Sequence, residues 1–264
     1  MTGLAFLCAI LALIPLVAVL YYVIVNGATR LNMTAFTSLP PAPGLKGGGF
    51  GNALLGTLST VGIASALAIP FGVVSAIYLA EFGRDTKVAE GVNFFTNVLS
   101  GVPSIVIGAF AYSVVVLTTG TFSAVAGGFA LAVLMLPTIV RTATEALEAV
   151  PNDFRQASIG LGATRIQTTL GVVLPSAIPA ILTGVMLAIS RAAGETAPVL
   201  FTASFNQFWN RGIWEPTATM SRLVFDFATN PYKNQQELAW AGALVLVLLV
   251  LTTSIVSRLV VKRR

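Results

Sequence analysis

Pro151-Asn152-Asp153-Phe154-Arg155-Gln156-Ala157-Ser158-Ile159-Gly160-Leu161-Gly162-Ala163-Thr164, running on to Leu174-Pro175, is the most informative stretch of this chain. Asn152 or Asp153, just behind Pro151, is suited to cap a helix N-terminus. Phe154, Ala157, Ile159 and Leu161 supply apolar contacts, and Gly160 and Gly162 permit a sharp turn. A second short helix is expected over residues 164–170, leading toward Leu174-Pro175. A short capped helix ended by glycine can project as a docking knob. On composition alone the same residues read rather as an ordinary amphipathic interface helix.

What lies on either side decides the setting. Hydrophobic residues make up 56% of the 264-residue chain and charged residues 9%, against about 25% charged in soluble domains. A soluble fold of this size has nowhere to hide so much apolar surface. A spanning helix needs roughly 20 mostly apolar residues, and six runs qualify: 4–25, 53–80, 94–117, 122–140, 176–201 and 238–260. The fold expected is therefore all-α, a polytopic membrane protein of about six transmembrane helices. Pro70 and Gly72 suggest a kink or tilt in the second run. Residues 26–52, with Pro40-Pro41-Ala42-Pro43 and Gly47-Gly48-Gly49, read as a flexible connector. Residues 202–237 form a long outer loop whose Trp209, Trp214 and Tyr232 suit a membrane interface. No internal repeat is evident.

The first apolar run extends for about 22 residues without a basic flank or a small-residue cleavage site, so it reads as a retained helix rather than a signal peptide. Its start almost at Met1 fits a shortened chain. Cys8 is the single cysteine and there is no histidine, which removes an internal disulfide, a multi-cysteine metal site and the commonest general base. No catalytic or metal-ligating set is expected. The net charge of +5 does not point to nucleic acid, because the basic residues are scattered among loops and the C-terminus. With the N-terminus inside, the inner segments carry Arg84, Lys87, Arg141, Arg155, Arg165, Arg258, Lys262, Arg263 and Arg264. The outer ones carry Arg30, Lys46, Arg211, Arg222 and Lys233. That bias favours both termini on the cytoplasmic side. Arg211 and Arg222 read as solvated loop charge.

Arg191 stands apart, inside the fifth run in Ser190-Arg191-Ala192-Ala193-Gly194-Glu195-Thr196-Ala197-Pro198. It is expected near mid-membrane, about ten residues or ~15 Å of helix before Phe201. An arginine there costs about 2.5–3.5 kcal/mol on insertion scales and is by default a candidate functional site. Glu195, four residues on, falls on the same helical face, while Gly194 and Pro198 weaken the helix and free backbone groups toward a cavity. A structural ion pair and an anion pathway are both open readings of these residues.

Two sets of residues carry a family resemblance. Gln156-Ala157-Ser158, Gly162, Val172 and Leu174-Pro175 are similar in spacing to the loop of bacterial ATP-binding-cassette importer permeases, which has the form Glu-Ala-Ala, three residues, Gly, nine residues, Ile, one residue, Leu-Pro. Glutamate is replaced here by Gln156, the second alanine by Ser158 and isoleucine by Val172. The segment from Ser190 to Pro198 resembles the signature of phosphate-specific permeases, particularly the second of their two membrane subunits. So do Ser100-Gly101-Val102-Pro103-Ser104-Ile105-Val106-Ile107-Gly108 and Leu238-Ala239-Trp240-Ala241-Gly242.

The resemblance implies a type I, MetI-like permease core over residues 50–261, preceded by a first helix and connector over 1–49 and followed by a basic cytoplasmic tail, 262–264. It implies a pathway containing Arg191, Glu195, Gly194, Thr196, Ser190, Pro103 and Ser104. It also implies an ATPase-docking loop made of Phe154, Arg155, Gln156, Ala157, Ser158, Gly162, Ala163, Leu174 and Pro175. The expected setting is a bacterial inner membrane, in a heterodimer with a sister permease, two cytoplasmic ATP-binding subunits and an outer phosphate-binding protein. This chain would bind no cofactor, since ATP-Mg belongs to the ATPase and no glycine-rich phosphate loop is present. The rival readings are a permease for sulfate or molybdate, an ATP-independent anion channel or transporter, and, last, a membrane enzyme.

Overall fold

Apolar runs in hydrocarbon must satisfy their own backbone hydrogen bonds, and helices do so within one segment. The computed structural model describes residues 2–83 and 86–262. Arg84, and Arg263 and Arg264 of the expected tail, lie outside them, as do the side chains of Arg258 and Lys262. The helices are α1 (Thr2–Ala28), α2 (Met33–Thr37) and α3 (Gly51–Ile77), which runs into a π-helical turn (Tyr78–Phe82). Next come α4 (Lys87–Gly101) and α5 (Ser104–Ala111), the latter extended by a second π turn (Tyr112–Val116) and a final turn, α6 (Leu117–Thr119). They are followed by α7 (Ala124–Glu148) and α8 (Asn152–Gly160). After α9 (Arg165–Thr168), a third π turn (Thr169–Val173) leads into α10 (Leu174–Gly194), and the chain ends with α11 (Ala197–Thr202), α12 (Met220–Ala228) and α13 (Lys233–Lys262).

Among the described residues five stretches are long and apolar enough to cross a membrane: Phe6–Ala28, Gly51–Phe82, Ala124–Glu148, Arg165–Gly194 and Lys233–Ile255. A sixth exists only if α4 and α5 count as one broken span, since they meet at 109°. The expected third span, 94–117, is thus divided between two helices. Val102 stands extended between them (φ −74°, ψ 129°), the conformation a following proline favours. The expected fifth span, 176–201, is displaced. Its helix begins at Arg165 and ends at Gly194, Glu195 is extended, and Ala197-Pro198 opens α11. The expected loop over 141–175 is shorter as well, because α7 persists to Glu148. α3 continues through Pro70 without a break. The outer loop over 202–237 contains α12, so Arg222 is a helical residue rather than a solvated loop charge. It pairs with Asp226 at 2.8 Å and donates to the Leu200 carbonyl at 3.1 Å.

Small residues set the helix spacing, as they do in membrane interiors. α3 packs along α7 with Gly72 against Ile139 and Gly128 against Ile63. The core between them holds Ala64, Ala68, Leu131, Met135, Ile139 and Leu147. α10 closes on α7 where Gly184 faces Thr142. A second core of Phe50, Ala218, Met220, Leu223 and Leu238 ties α12 and α13 to the start of α3. α1 touches the bundle where Gly27 meets the Trp240 carbonyl and Leu244, and leaves Phe6, Leu7, Leu11 and Val17 exposed. Ser123, Thr219 and Thr86 cap α7, α12 and α4 with side-chain hydrogen bonds.

Two α3 glycines differ sharply. A Cβ at Gly56 would strike the Ala218 carbonyl and the Thr217 methyl, whereas at Gly62 it would meet open space. G56A should therefore destabilise the protein by about 1–3 kcal/mol. G62A should leave stability unchanged or raise it by up to about 1 kcal/mol. Thermal unfolding of both variants in detergent micelles checks the difference.

Candidate functional site

α7 remains helical past residue 140 because Ala143, Ala146 and Leu147 continue its buried face. The opposite face then carries Thr138, Arg141, Thr142, Thr144, Glu145 and Glu148. The bend between α4 and α5 brings Ser100, Pro103 and Ser104 to this face, and the last turn of α10 adds Arg191. Together they line a cavity of about 380 Å³. A second space of about 350 Å³ adjoins it at Arg141 and continues between α4 and α7, past Asn93 and Asn97 to Glu145 and Glu148. A polar trough thus runs down one side of an otherwise apolar bundle.

Its two guanidinium groups are poorly satisfied. Arg191 reaches Glu195 Oε1 only at 3.4 Å, with its side chain 64% exposed. Arg141 makes a 3.5 Å hydrogen bond to Asn97 Oδ1. Most of their donors are uncommitted to strong bonds. Two other arginines are placed differently. Arg222 is held as described above, and Arg155 is saturated.

The expected pathway residues divide. Arg191, Pro103 and Ser104 come together in the cavity. Glu195 stands behind Arg191, and its backbone carbonyl accepts a 2.9 Å hydrogen bond from Ser221 Oγ. Ser190 turns away, buried against α13 with its hydroxyl 2.8 Å from that of Thr253. Gly194 ends α10 and Thr196 precedes α11. The two signature segments meet directly elsewhere, since a Cβ on Gly108 would lie 2.8 Å from Pro198 Cα. Arg141 was assigned from sequence to an inner loop, and its place in the trough comes from the structure. The signal for it was the helical spacing of Ala143, Ala146 and Leu147 beyond the apolar run.

At the trough's acidic end, α8 and the turn after it form a projecting knob. Pro151 occupies the N-cap position without a side-chain cap bond, so neither Asn152 nor Asp153 caps α8. Gly162 adopts φ +89°, a left-handed conformation in which a side chain would be strained. Thr164 then starts α9 with a reciprocal capping box to Gln167. Phe154, Ile159 and Leu161 are exposed, as are Gln156 and Ala157, and Ala163 is half-buried. Ser158 bonds Thr168 across the turn at 2.9 Å. Leu174 packs against the main core, while Pro175 is exposed.

Arg155 differs from its neighbours in pointing inward. Its Nη2 lies 2.6 Å from Glu81 Oε1 and 2.8 Å from the Leu147 carbonyl, and its Nη1 bonds the Val150 carbonyl. Glu81 is 6% exposed. Nothing in the sequence marked Glu81 as a partner. Among the described residues no three His, Cys, Asp or Glu side chains gather to hold a metal.

A helical bundle that crosses the membrane several times, carries a polar trough with weakly bonded cationic groups and projects an apolar knob at one end defines a membrane permease. The family model described as the binding-protein-dependent transport system inner membrane component matches residues 68–264. The phosphate transport system permease protein PstA of Haemophilus influenzae is 40% identical over 259 residues, covering 98% of this chain and 92% of that protein. The PstA of Yersinia pestis is 37% identical over 249 residues, covering 94% and 84%. Among solved structures, an inward-facing MetNI methionine ABC transporter aligns with a TM-score of 0.64 at 19% identity, over 80% of this chain and 94% of that one. An amino acid ABC transporter aligns at 0.62 and 20% identity, over 80% and 92%. The chain belongs to the binding-protein-dependent transport system inner membrane component family.

The trough predicts a labelling pattern. With Cys8 replaced by serine, S104C and T138C should react with a membrane-impermeant maleimide in detergent, and S190C should be protected. Mass-spectrometric quantification of the adducts checks this.

Proposed function

We propose that this chain is a transmembrane permease subunit of an ATP-driven importer of inorganic phosphate. The observation that carries the reading is the pair of under-satisfied guanidinium groups, Arg141 and Arg191, in one polar trough. A pathway for an anion needs cationic stepping points that bind weakly enough to release it. A charge in a spanning helix is retained where it faces a water-filled cavity, and Arg191 lies in the last turn of its span. The relatives named for phosphate transport support phosphate as the cargo. Glu195 behind Arg191 offers hydrogenphosphate an acceptor for its proton, and sulfate has none to donate.

In this reading the knob of Phe154, Gln156, Ala157, Ser158, Gly162 and Ala163 docks into a cleft of a cytoplasmic ATPase, a helix-in-groove contact made by its exposed apolar side. The family name supports an outer binding protein. A sister permease would close the open side of the trough, and two ATP-binding subunits would sit beneath. The chain itself is non-catalytic, with ATP-Mg bound and hydrolysed in the ATPase. The basic residues support both termini inside a bacterial plasma membrane. ATP binding would draw the docking knobs together and open the trough outward, and hydrolysis would reset it.

Uptake of labelled phosphate at low external concentration, with sulfate followed in parallel, tests the reading. Cells lacking this chain and any backup system should lose phosphate uptake alone. R141A and R191A should each lower it roughly ten- to hundredfold, the worth of a charged hydrogen bond. E195Q should narrow the preference for phosphate over sulfate. G162L should block ATPase assembly or uncouple hydrolysis from uptake. Unchanged uptake on loss of the chain overturns phosphate as the cargo. An unaltered G162L overturns the docking assignment.

A further inference from the structure

The Arg155 side chain is unusual for the knob that carries it. Around it Phe154, Gln156, Ala157 and Ile159 are exposed, whereas its own side chain is 15% exposed and that of Glu81 7%. Its guanidinium joins three elements at once. Nε and Nη2 hold both oxygens of Glu81, in the π turn that ends α3. Nη2 and Nη1 also donate to the carbonyls of Leu147 and Val150, at the end of α7. Leu147 lies in the last turn of α7 and its carbonyl also accepts from the Val150 N–H at 3.3 Å, while Val150 lies just past the helix, and a cation there is favoured by the helix dipole. A neighbouring contact acts in parallel, with the Arg165 guanidinium 5.4 Å from the Phe82 ring centroid.

We infer that Arg155 and Glu81 are positioning residues that form the mechanical joint between the docking knob and the helices of the trough. The inference rests on the docking reading above and extends it. α7 carries Arg141 six residues before Leu147, or about 9 Å along the helix axis. A displacement of α8 is therefore delivered to the helix that bears a pathway cation, and through Glu81 to α3 packed along it. A rotatable single contact would let the knob swing while α7 stayed still. A planar fork with several bonds fixes direction as well as distance. The pair's burial keeps water from competing for those bonds.

The test uses the whole importer, reconstituted in lipid vesicles with its ATPase and binding protein. The readouts are ATPase retention, ATP hydrolysis and labelled phosphate delivered per ATP hydrolysed. E81Q keeps the shape and loses the charge. It should retain the ATPase and hydrolyse ATP while phosphate per ATP falls at least tenfold, and E81D should recover most of the loss. In a background lacking Cys8, E81C combined with R155C should be uncoupled when reduced. Bridging the two thiols with a short bis-thiosulfonate should restore coupling in the same folded molecules. Wild-type phosphate per ATP in E81Q overturns the joint while leaving docking intact. Loss of the ATPase from E81Q also overturns it, because the pair would then build the docking site rather than transmit from it. Failure of the wild-type chain to retain the ATPase removes the docking reading and the joint with it.

Discussion

Hydrocarbon gives a backbone no partner for its N–H and C=O groups, and this constraint shapes everything else in the chain. It forces long helices, and it permits irregular backbone only where protein or a cavity takes over the hydrogen bonding. The two interruptions in the apolar core obey it. Between α4 and α5, the Val102 N–H returns to the Leu99 carbonyl and Pro103 has no N–H to satisfy. Between α10 and α11, the Glu195 N–H returns to Ala192 and its carbonyl is taken by Ser221. One break lines the trough and the other lies a turn beyond Arg191, so the polar site sits where the helices are allowed to fail.

The same economy governs the arginines. Arg155 and Arg222 are spent on carboxylates and helix-end carbonyls, while Arg141 and Arg191 keep weakly bonded donors facing a cavity. Burial and bonding go together here: Arg155 and Arg222 are 15% and 20% exposed and strongly bonded, whereas Arg191 is 64% exposed and weakly bonded. An unsatisfied donor taken out of water is expensive, so the buried guanidiniums are the ones with their bonds filled.

Much of this was legible in the sequence, for identifiable reasons. Gly162 announced its turn because only glycine enters left-handed backbone without strain, and Arg191 announced itself as a charge in an apolar run. The 109° break was half visible in Pro103, whose influence on Val102 is local but whose angle is set by packing against α11. Arg141 was hidden because its helix leaves the apolar run behind and continues on Ala143, Ala146 and Leu147, a face too small in area to raise the hydropathy. The partnership of Glu81 and Arg155 spans 74 positions, and no local pattern encodes a contact at that range.

The π turn over Thr169–Val173 lies between α9 and the spanning part of α10. A π turn holds one residue more than the α-helical count, and each residue turns a helix by about 100°. Its heritable content is therefore one surplus residue absorbed within a turn. A deletion of one position there would return the turn to the α-helical count with the flanking rods close to their present phase, whereas the same deletion in the regular helix of α10 would rotate the knob's attachment about the rod by more than a quarter turn. The π turn is thus the place along this rod where the count of residues can change by one while the knob keeps its alignment.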